Sequence, residues 1–532
     1  MSNCSSAALA CVPATFSSLS LFGGQIVEVS TNLVTNYTSF VSGMFRYTQP
    51  DVLLENATFC NVTVTYTHPG ESDNINVETW LPTKKNWNGR LQSVGGSGSI
   101  AGRFSLAYGN MEGALADGYA TSSTDAGLVQ GESSTAGWAL LSPGNVNWDY
   151  VQNFASRSLG DMAVISKGVI ESFYGTKPAY TYWNGCSTGG RQGHMLAQRY
   201  PDAYDGIAAG SPAINWGSFI AATAWPQQFM DMMGIYPPGC EIDALTAAAI
   251  TACDALDGIV DGIVSDADAC LASFDPFSLV GTVVTCNNGS TQISTAAAAV
   301  VNATWHGPET RFGKKIWYGF TPGTDITGSA PYSDGTPGVA STICHSGGGP
   351  CSGAEEQSVT EWFTLLVAKD PNFPWGNVSH AVYDRLVHAS INEYQSVLWT
   401  SDPDLTEFRE AGGKMVTFHG LADTIVPPKG TEDYYMKVSA LFPDVQDFYR
   451  YFEVPGMGHC AFGKSGQPSS LFSQLRAWVE NGTAPVQTPI QVLGLDGMPT
   501  PRILCAFPKV ARLDEACKSG TSANCWICVD RS

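Results

Sequence analysis

The sequence is poor in charge, and most of the charge that it has is negative. Charged residues make up 14% of the 532 residues, against about a quarter in an average soluble protein. Lys and Arg number 27 and Asp and Glu number 48, which gives a formal net charge of −21. Because such a surface repels phosphate backbones, we exclude nucleic acid as a partner. A neutral or aromatic substrate fits this composition better than a polyanion.

The sequence also lacks any apolar run of the ~18 residues that a membrane-spanning helix needs. It has no run of Lys or Arg that would favour a membrane surface, so we predict a soluble protein without a membrane partner. The N-terminus lacks the basic and apolar regions of a signal peptide. Either such a peptide has been removed or Met1 is an added start. Hydrophobic residues at 44% and aromatic residues at 11% supply a large core and argue against disorder.

Cysteines and glycosylation sequons are frequent. Fifteen cysteines are many for a cytosolic protein and are typical of an oxidising compartment. Some N-x-Ser/Thr sequons arise by chance in loops, but their density here is typical of a glycosylated protein. The sequons begin at Asn3, Asn36, Asn56, Asn61, Asn288, Asn302, Asn377 and Asn481. Both features predict a secreted, extracellular protein.

The chain is too long for one simple core, so we expect a large α/β domain with a second unit. The pattern of residues 180–210 indicates a strand, a glycine turn, a helix and a second strand, which predicts a parallel βαβ unit. After Ser211 the chain becomes rich in Asp clusters, Cys pairs and Gly/Pro stretches. We therefore predict a core in 1–211, an inserted lid domain in 212–400, and in 401–532 a second core part with a Cys-rich tail.

Apolar patterns locate individual elements within this plan. A β-rich leader is expected from about Cys11 to Tyr66. Strands are predicted at Phe59–Thr65, Leu91–Val94, Gly118–Ser123, Tyr180–Trp183, Gly206–Gly210, Gly412–Gly420 and Phe448–Val454. Helices are predicted at Ser156–Tyr174 and Gln192–Tyr200, and a third helix is expected to end at Ala477–Asn481.

Three motifs in chain order predict a serine hydrolase. Gly185-Cys-Ser187-Thr-Gly189 matches G-x-S-x-G, the nucleophile elbow, in which glycines permit a turn too tight for side chains. Asp423 and His459 each follow a predicted strand, where the acid and the base of an α/β-hydrolase lie. Any one motif is compatible with a structural turn. Together, in the order Ser, Asp, His that this fold requires, they favour a catalytic triad.

In this hypothesis His459 takes the proton of Ser187 during attack on an ester carbonyl, and Asp423 fixes the imidazole tautomer. His419 is a rival base, but His459 is farther from the acid along the chain and is flanked by glycine. The backbone N–H of Thr188 is expected to face the oxyanion. Gly96, in a glycine-rich turn after a strand, is the candidate for the second oxyanion donor.

Two cysteines adjoin the proposed triad. Cys186 precedes Ser187 and Cys460 follows His459, so the two must come close if the triad forms. A disulfide between them would hold the nucleophile and base loops together. The alternative, in which Cys186 is a catalytic thiol, is disfavoured.

These residues resemble the fungal tannase and feruloyl esterase family of α/β-hydrolases. The Cys186-Ser187, Asp423 and His459-Cys460 arrangement is similar to the family's pattern, and Gly185–Gly193 looks most like its feruloyl esterase members. The resemblance extends from about Cys60 to Asn481. It implies an α/β-hydrolase fold with a large inserted lid, a disulfide joining the triad loops, and ester substrates with a phenolic acyl group.

The resemblance also implies a structural calcium site in the lid. Its ligands would be the carboxylates of Asp254, Asp257 and Asp261 and the backbone carbonyls of Ile259 and Ile263. Carboxylates so close along a chain repel one another unless a cation or solvent screens them, and hard oxygen ligands suit Ca²⁺. The spacing is not that of an EF-hand. A solvated acidic turn is the alternative.

Several other cysteines are candidates for pairing. Cys253 with Cys270, Cys11 with Cys60, and Cys344 with Cys351 are plausible disulfides. Cys525 and Cys528 have CxxC spacing, but a redox or zinc role does not suit a secreted tail. Because 15 is odd, one thiol stays free or pairs between chains, and Cys4 is the candidate.

The leading hypothesis is an esterase that releases hydroxycinnamic acids from plant cell-wall polysaccharides. The near alternative is a tannase that cleaves galloyl esters; Thr188 follows the nucleophile here, whereas tannases tend to carry an acidic residue there. Either enzyme needs an aromatic acyl pocket, which Trp, Tyr and Phe of the lid can supply. An inactive hydrolase fold used for binding is disfavoured because the triad is complete. The sequence leaves the oligomeric state open.

Overall fold

The computed structural model describes residues 10–128, 134–286, 289–333, 335–345, 350–517, 520 and 522–531. Its main feature is a nine-stranded sheet with the order β1-β2-β3-β5-β4-β6-β7-β8-β9. The strands are β1 Gln25–Val41, β2 Val52–Thr67, β3 Ile75–Pro82, β4 Arg90–Val94, β5 Ala120–Thr124, β6 Tyr180–Cys186, β7 Gly206–Gly210, β8 Lys414–Gly420 and β9 Tyr449–Val454. The pairs β1–β2, β2–β3 and β3–β5 are antiparallel. All pairs from β5 to β9 are parallel.

Helices cover the sheet and fill the long connection between β7 and β8. They are α1 Ser105–Ala116, α2 Trp148–Gln152, α3 Ser158–Tyr174, α4 Thr188–Arg199, α5 Trp216–Met233, α6 Gly239–Cys253, α7 Ala267–Ser273, α8 Thr295–His306, α9 Gln357–Glu361, α10 His380–Leu398, α11 Thr406–Glu410, α12 Lys429–Leu441 and α13 Leu471–Asn481. Two π-helical segments, Asn153–Arg157 and Trp362–Val367, adjoin α3 and α9.

The parallel strands are buried on both faces, as is usual for a parallel sheet that helices cover on both sides. On β6, Trp183 belongs to the cluster that packs against α3, whereas its neighbour Tyr182 belongs to the cluster that packs against α13. Because side chains alternate along a strand, the same division holds along β7 and β8. The result is a three-layer α/β architecture.

The predicted strands and helices of the core are confirmed, with shifts at their ends. β1 is 17 residues long and pairs with β2 to form the expected β-rich leader. The helix predicted from Gln192 begins already at Thr188, because the chain passes from β6 into α4 through Ser187 alone. The helix predicted from Ser156 begins at Ser158, after a π-helical turn.

The segment between β7 and β8 forms clusters of its own. One of these hydrophobic clusters joins α6 to α8 through Ile242, Leu245 and Val301. Leu405 and Phe408, near and within α11, belong instead to the main core, so the chain has returned to that core before β8 begins. The limits proposed for the lid, 212 and 400, both fall inside this connection and stay a prediction.

Seven disulfides occur in the described residues. They are Cys11–Cys60, Cys186–Cys460, Cys240–Cys286, Cys253–Cys270, Cys344–Cys351, Cys505–Cys528 and Cys517–Cys525. The four pairs expected from the sequence are present. Cys525 and Cys528 each have a different partner in the tail, so they do not form a CxxC redox pair. Cys4, the proposed free thiol, lies outside the described residues.

The tail consists of two β-hairpins. Gln487–Leu493 pairs with Pro499–Cys505, and Lys509–Leu513 pairs with Trp526–Asp530. Across the part of the chain that the structure describes, no helix combines the length and apolar character needed to cross a bilayer.

Candidate active site

Ser187 sits at the turn between β6 and α4, where the backbone is strained. Its φ and ψ are 61° and −122°, a conformation that non-glycine residues rarely adopt and that tends to occur at functional sites. The surrounding glycines are required: a Cβ on Gly185 would lie 2.7 Å from the backbone of Gly189, and one on Gly190 would lie 2.3 Å from the carbonyl of Gly210. The turn therefore places a strained serine at the carboxyl end of a central strand.

Asp423 and His459 follow β8 and β9 at the same edge of the sheet. His459 Nδ1 lies 2.8 Å from Asp423 Oδ2. The other carboxylate oxygen accepts the backbone N–H groups of Ile425 and Val426, both at 2.8 Å. Because Asp423 accepts the Nδ1 proton, Nε2 of His459 is left as the hydrogen-bond acceptor that a general base needs.

The carboxyl of Asp423 is held in its ionised form. Asp423 is completely buried, and burial alone would raise its pKa. The charge of His459 and hydrogen bonds from His419 and His459 outweigh burial and set the pKa well below its usual range. A negative charge therefore faces the imidazole of His459, an arrangement that would stabilise an imidazolium there.

A disulfide and a shared cavity bring Ser187 to His459. Cys186 and Cys460, the immediate neighbours of these residues, are bonded across 274 positions of sequence with Cα atoms 6.0 Å apart. Ser187, Thr188 and His459 all line one cavity. Ser187 and His459 therefore face one space, and Asp423 is buried behind the imidazole of His459.

The rival histidine has a different place in the structure. His419 is completely buried, and its Nε2 lies 3.1 Å from both Asp423 Oδ2 and the carbonyl of Val426. Its Nδ1 lies 2.8 Å from the hydroxyl of Thr431. Two acceptors beside Nε2 place the proton there, so His419 donates to the same oxygen of Asp423 as His459 does. His419 was predicted only as a rival base; its contact with Asp423 is new, and the i,i+4 spacing of the two residues could have indicated it.

His194, on α4, lies outside this arrangement. Its Nδ1 lies 3.0 Å from the carbonyl of Gly190, and burial lowers its pKa to about 4. It is a neutral residue of the protein interior.

The two predicted oxyanion donors differ in their surroundings. Thr188 is the first residue of α4, where backbone N–H groups lack partners within the helix and carry partial positive charge. The N–H of Gly96, in contrast, donates to Gln192 Oε1 at 2.9 Å. Gly96 also fits tightly, since a Cβ there would lie 1.9 Å from the carbonyl of Ile100. Gly96 is therefore needed for packing, and its amide is not free to bind an oxyanion.

The cavity beside Ser187 has a volume of about 430 Å³, within the usual range for small-molecule sites. Its apolar wall is formed mainly by Trp138, Phe154, Trp216, Phe219 and Trp362. Polar residues 355–358 lie at its rim. This composition suits an aromatic group held next to Ser187.

Arg191 supports the wall of this cavity, a role that was not predicted from the sequence. It is completely buried, and its guanidinium donates to the carbonyls of Phe154, Ala155 and Leu398. It also lies 5.2 Å from the ring centre of Phe154 and 5.7 Å from that of Trp216. Burial lowers its pKa to about 9. Arg191 thus joins the helix that follows Ser187 to two aromatic residues of the cavity.

One cluster of potential metal ligands lies away from the cavity. Ligand atoms of His68, Glu71 and Asp73 come within 4.8 Å of one another. However, the guanidinium of Arg157 pairs with Glu71 and lies 3.6 Å from Asp73. A protein cation already neutralises this cluster, so we interpret it as an ion-pair network.

The loop predicted to bind calcium is short, partly buried and closed by the Cys253–Cys270 disulfide. The carboxylate of Asp254 accepts the N–H groups of Asp261 and Gly262. Burial raises the pKa of Asp261; Arg502 opposes this, while the charges of Asp257 and Asp254 add to it. Both oxygens of Asp254 thus accept backbone N–H groups, and Asp261 pairs with Arg502, so the calcium site stays a prediction.

The sheet order, the strained serine between β6 and α4, and the Asp and His that follow β8 and β9 define an α/β-hydrolase. Comparison with known proteins gives the family. A family model described as "Tannase and feruloyl esterase" matches residues 60–529, and the chain belongs to this family.

Individual relatives support this family assignment. The chain is 38% identical over 462 residues to a "Probable feruloyl esterase" of Arthroderma benhamiae, covering 85% of this chain and 82% of that protein. It is 28% identical over 503 residues to a "Tannase" of Aspergillus oryzae, with coverage of 85% and 82%. Among solved structures, "Tannin acyl hydrolase from Aspergillus niger" superposes with a TM-score of 0.85 at 28% identity, covering 99% of this chain and 96% of that one. The protein is a carboxylic ester hydrolase.

Proposed function

We propose that the protein is a secreted serine esterase that hydrolyses esters of phenolic acids, most of all feruloyl esters of plant cell-wall polysaccharides. The observation that carries the proposal is the position of the His459–Asp423 pair and Ser187 around a cavity walled by aromatic side chains. The triad supplies ester cleavage, and the cavity supplies selection of an aromatic acyl group.

The mechanism follows from the positions of these groups. His459 Nε2 takes the Ser187 proton as the hydroxyl oxygen attacks the ester carbonyl, and the charge of Asp423 stabilises the imidazolium. The oxyanion accepts the N–H of Thr188 at the start of α4. His459 then returns the proton to the leaving alcohol, which gives an acyl-enzyme on Ser187. Water, activated by the same imidazole, releases the acid.

Two features favour a hydroxycinnamoyl group in the cavity. Its inner wall is apolar, and a galloyl ring would bring three hydroxyl groups that each need a partner there. The relative with 38% identity is named as a feruloyl esterase. A galloyl ester is the second candidate, which the structural likeness to a tannin acyl hydrolase favours.

Secretion is supported by the disulfides and by the sequons. Among the described residues, Asn36, Asn56, Asn377 and Asn481 are exposed and suited to glycosylation. The side chain of Asn61 instead donates to Glu78 within the sheet. Asn3 and Asn288 lie outside the described residues.

The proposal is tested with methyl ferulate and methyl gallate. We expect a higher kcat/KM for the ferulate, and a loss of about 10⁴–10⁶-fold in kcat for Ser187→Ala, by analogy with removal of the nucleophile in other serine hydrolases. Circular dichroism checks that the variant is folded. A preference for gallate would leave the proposed triad mechanism standing and would identify the enzyme as a tannase. Full activity in Ser187→Ala would refute the proposed mechanism.

A structural calcium ion is part of this proposal. The carboxylates of Asp254, Asp257 and Asp261 and the carbonyls of Ile259 and Ile263 would hold it. When bound, it would neutralise the acidic loop and stiffen it against Arg502 and the tail; no step of ester hydrolysis involves it.

We expect EDTA to lower the melting temperature by several degrees and added Ca²⁺ to restore it, because a ligand that binds only the native state stabilises it by about 2.7 kcal/mol at 100 times its Kd. Differential scanning fluorimetry gives the measurement. Asp254→Asn should abolish the response to Ca²⁺. Asp268→Asn, an exposed acidic residue on α7, should keep it. Equal melting temperatures in EDTA and Ca²⁺ for the wild type would contradict the site.

A further inference from the structure

We infer that Asn153 is a positioning residue of the aromatic cavity, which holds the ring of Phe154 in the cavity wall by bonding to the buried ion-pair network that contains Asp73. The inference rests on the proposed esterase function and extends it to the control of acyl selectivity. Its basis is that the two residues are neighbours in the π-helical segment Asn153–Arg157. Phe154 lines the cavity of Ser187, whereas the side chain of Asn153 bonds to Asp73.

The ring of Phe154 contacts two other aromatic rings of the cavity wall. Its centre lies 5.5 Å from that of Trp138 and 5.6 Å from that of Trp216. Trp138 belongs to the segment between β5 and β6, and Trp216 belongs to the connection between β7 and β8. Because a packed interior transmits small displacements, a shift of Phe154 would change the contacts of both tryptophans and the shape of the space for the acyl group.

Side-chain donors hold the π-helical backbone at Phe154. Turns of this kind are rare and frequently occur at functional sites. The carbonyl of Asn153 accepts the hydroxyl of Ser158 at 2.7 Å. The carbonyls of Phe154 and Ala155 accept the guanidinium of Arg191 at 3.0 and 2.9 Å. The position of this backbone therefore depends on side-chain contacts, and the side chain of Asn153 adds the contact with the ion-pair network.

Asn153 uses both ends of its amide. It is completely buried. Its Nδ2 donates to Asp73 Oδ2 at 3.0 Å, and its Oδ1 accepts Arg157 Nε at 2.7 Å. An amide supplies donors at one atom and an acceptor at the other, so it fits between a carboxylate and a guanidinium. An apolar side chain at this position would remove the hydrogen bonds to both buried groups.

The ion-pair network gives Asn153 a fixed support. Asp73 Oδ1 accepts the hydroxyl of Thr67 at 2.9 Å and the backbone N–H of His68 at 2.8 Å, and His68 Nδ1 lies 2.6 Å from Asp73 Oδ2. Burial would raise the pKa of Asp73, but the hydrogen bonds that it accepts, those of His68 first, lower the pKa to about 2. Because Asp73 lies between β2 and β3, Asn153 ties the segment of Phe154 to the main sheet.

The test compares two esters that share a leaving group and differ in the acyl group: 4-nitrophenyl ferulate and 4-nitrophenyl acetate. Asn153→Ala should raise KM for the ferulate by about tenfold, because one aromatic contact has that size. The kcat should stay within about threefold, since the triad is not altered. For the acetate we expect kcat/KM to change by less than about twofold, because an acetyl group does not reach the ring.

A double-mutant cycle with Phe154→Leu tests whether Asn153 acts through the ring. If it does, Asn153→Ala should change KM for the ferulate by less than about twofold once residue 154 is leucine. Effects that multiply in the double variant would overturn the inference. Asn153→Ser, which keeps a hydroxyl for one of the two bonds, replaces the alanine variant if that does not fold, and it should act in the same direction.

Asn110→Ala is the matched control. Asn110 is a buried asparagine of α1 whose Oδ1 accepts Gln92 Nε2 at 3.2 Å, and it does not line the cavity. Its replacement should leave the preference for ferulate over acetate within about twofold of the wild type, even where the melting temperature falls.

An equal loss on both esters in Asn153→Ala, or no loss on either, would overturn the inference while the esterase function stands. If the wild type prefers gallate, 4-nitrophenyl gallate takes the place of the ferulate. If the wild type hydrolyses the acetate but no aromatic acyl ester, the proposed function fails and the inference fails with it.

Discussion

Replacing Asp423 by Asn should lower kcat by about 10⁴-fold with a small effect on KM, as the corresponding change does in other triads. The amide can still accept the N–H groups of Ile425 and Val426 through its oxygen. Its NH₂ group would then face His459 Nδ1, which has to accept instead of donate. The imidazole proton moves to Nε2, and the base can no longer take the proton of Ser187.

Steady-state kinetics on the preferred ester measures this effect, and thermal unfolding separates it from a loss of structure. The NH₂ group would also face Nε2 of His419, so we expect a reduction in stability of about 1–3 kcal/mol for the mismatched buried groups. Asp433→Asn is the control, since Asp433 is a partly exposed residue paired with Lys437 on α12. A folded Asp423→Asn enzyme with kcat within tenfold of the wild type would exclude Asp423 as the acid of the triad.

The second large effect is expected when both cysteines beside the triad are replaced. Cys186→Ser with Cys460→Ser removes a link across 274 positions of sequence, which restricts the unfolded chain more than a short loop does. We expect the free energy of unfolding to fall by about 2–5 kcal/mol. We also expect kcat to fall by tenfold or more, because a displacement of about 1 Å between reacting groups can cost 100-fold.

The measurements are urea unfolding and kcat below the unfolding transition. The double replacement avoids a free thiol beside Ser187, which would complicate a single variant. Cys344→Ser with Cys351→Ser is the matched control, since that disulfide spans seven positions in the β7–β8 connection and should lower stability by less, with kcat unchanged. If both double variants behave alike, the disulfide beside the triad has no special part in holding Ser187 and His459.

Much of the core could be predicted from the sequence because local patterns determine it. The central strands are short apolar runs that end in glycine turns, and β7 has the predicted bounds Gly206–Gly210. The order Ser, Asp, His depends only on chain order in this fold, so it too could be seen without coordinates. The start of α4 could not be predicted from the sequence, because the helix begins inside a glycine-rich segment that local propensity assigns to a turn.

Contacts between segments that are distant in sequence were harder to predict. The buried guanidinium of Arg191 is held by carbonyls of two other segments, and nothing in its own neighbourhood of sequence indicates that. The disulfide Cys240–Cys286 closes a hairpin onto α6, which cysteine spacing alone does not reveal. Gly96 was predicted as a donor from its glycine-rich turn, but close packing against Ile100 and the bond to Gln192 explain the glycine there.

The aromatic cavity draws its lining from several parts of the chain, and Trp138 and Phe154 come from the segment between β5 and β6. Ser187 and His459 stand on loops that follow β6 and β9, whereas Trp216, Phe219 and Trp362 come from the long connection between β7 and β8. In the proposed mechanism, bond cleavage and substrate selectivity therefore depend on different segments of the chain. In the proposed mechanism, mutations in the connection can change the preferred acyl group while the residues that cleave the bond stay intact. Enzymes that share this fold can therefore differ in their substrates.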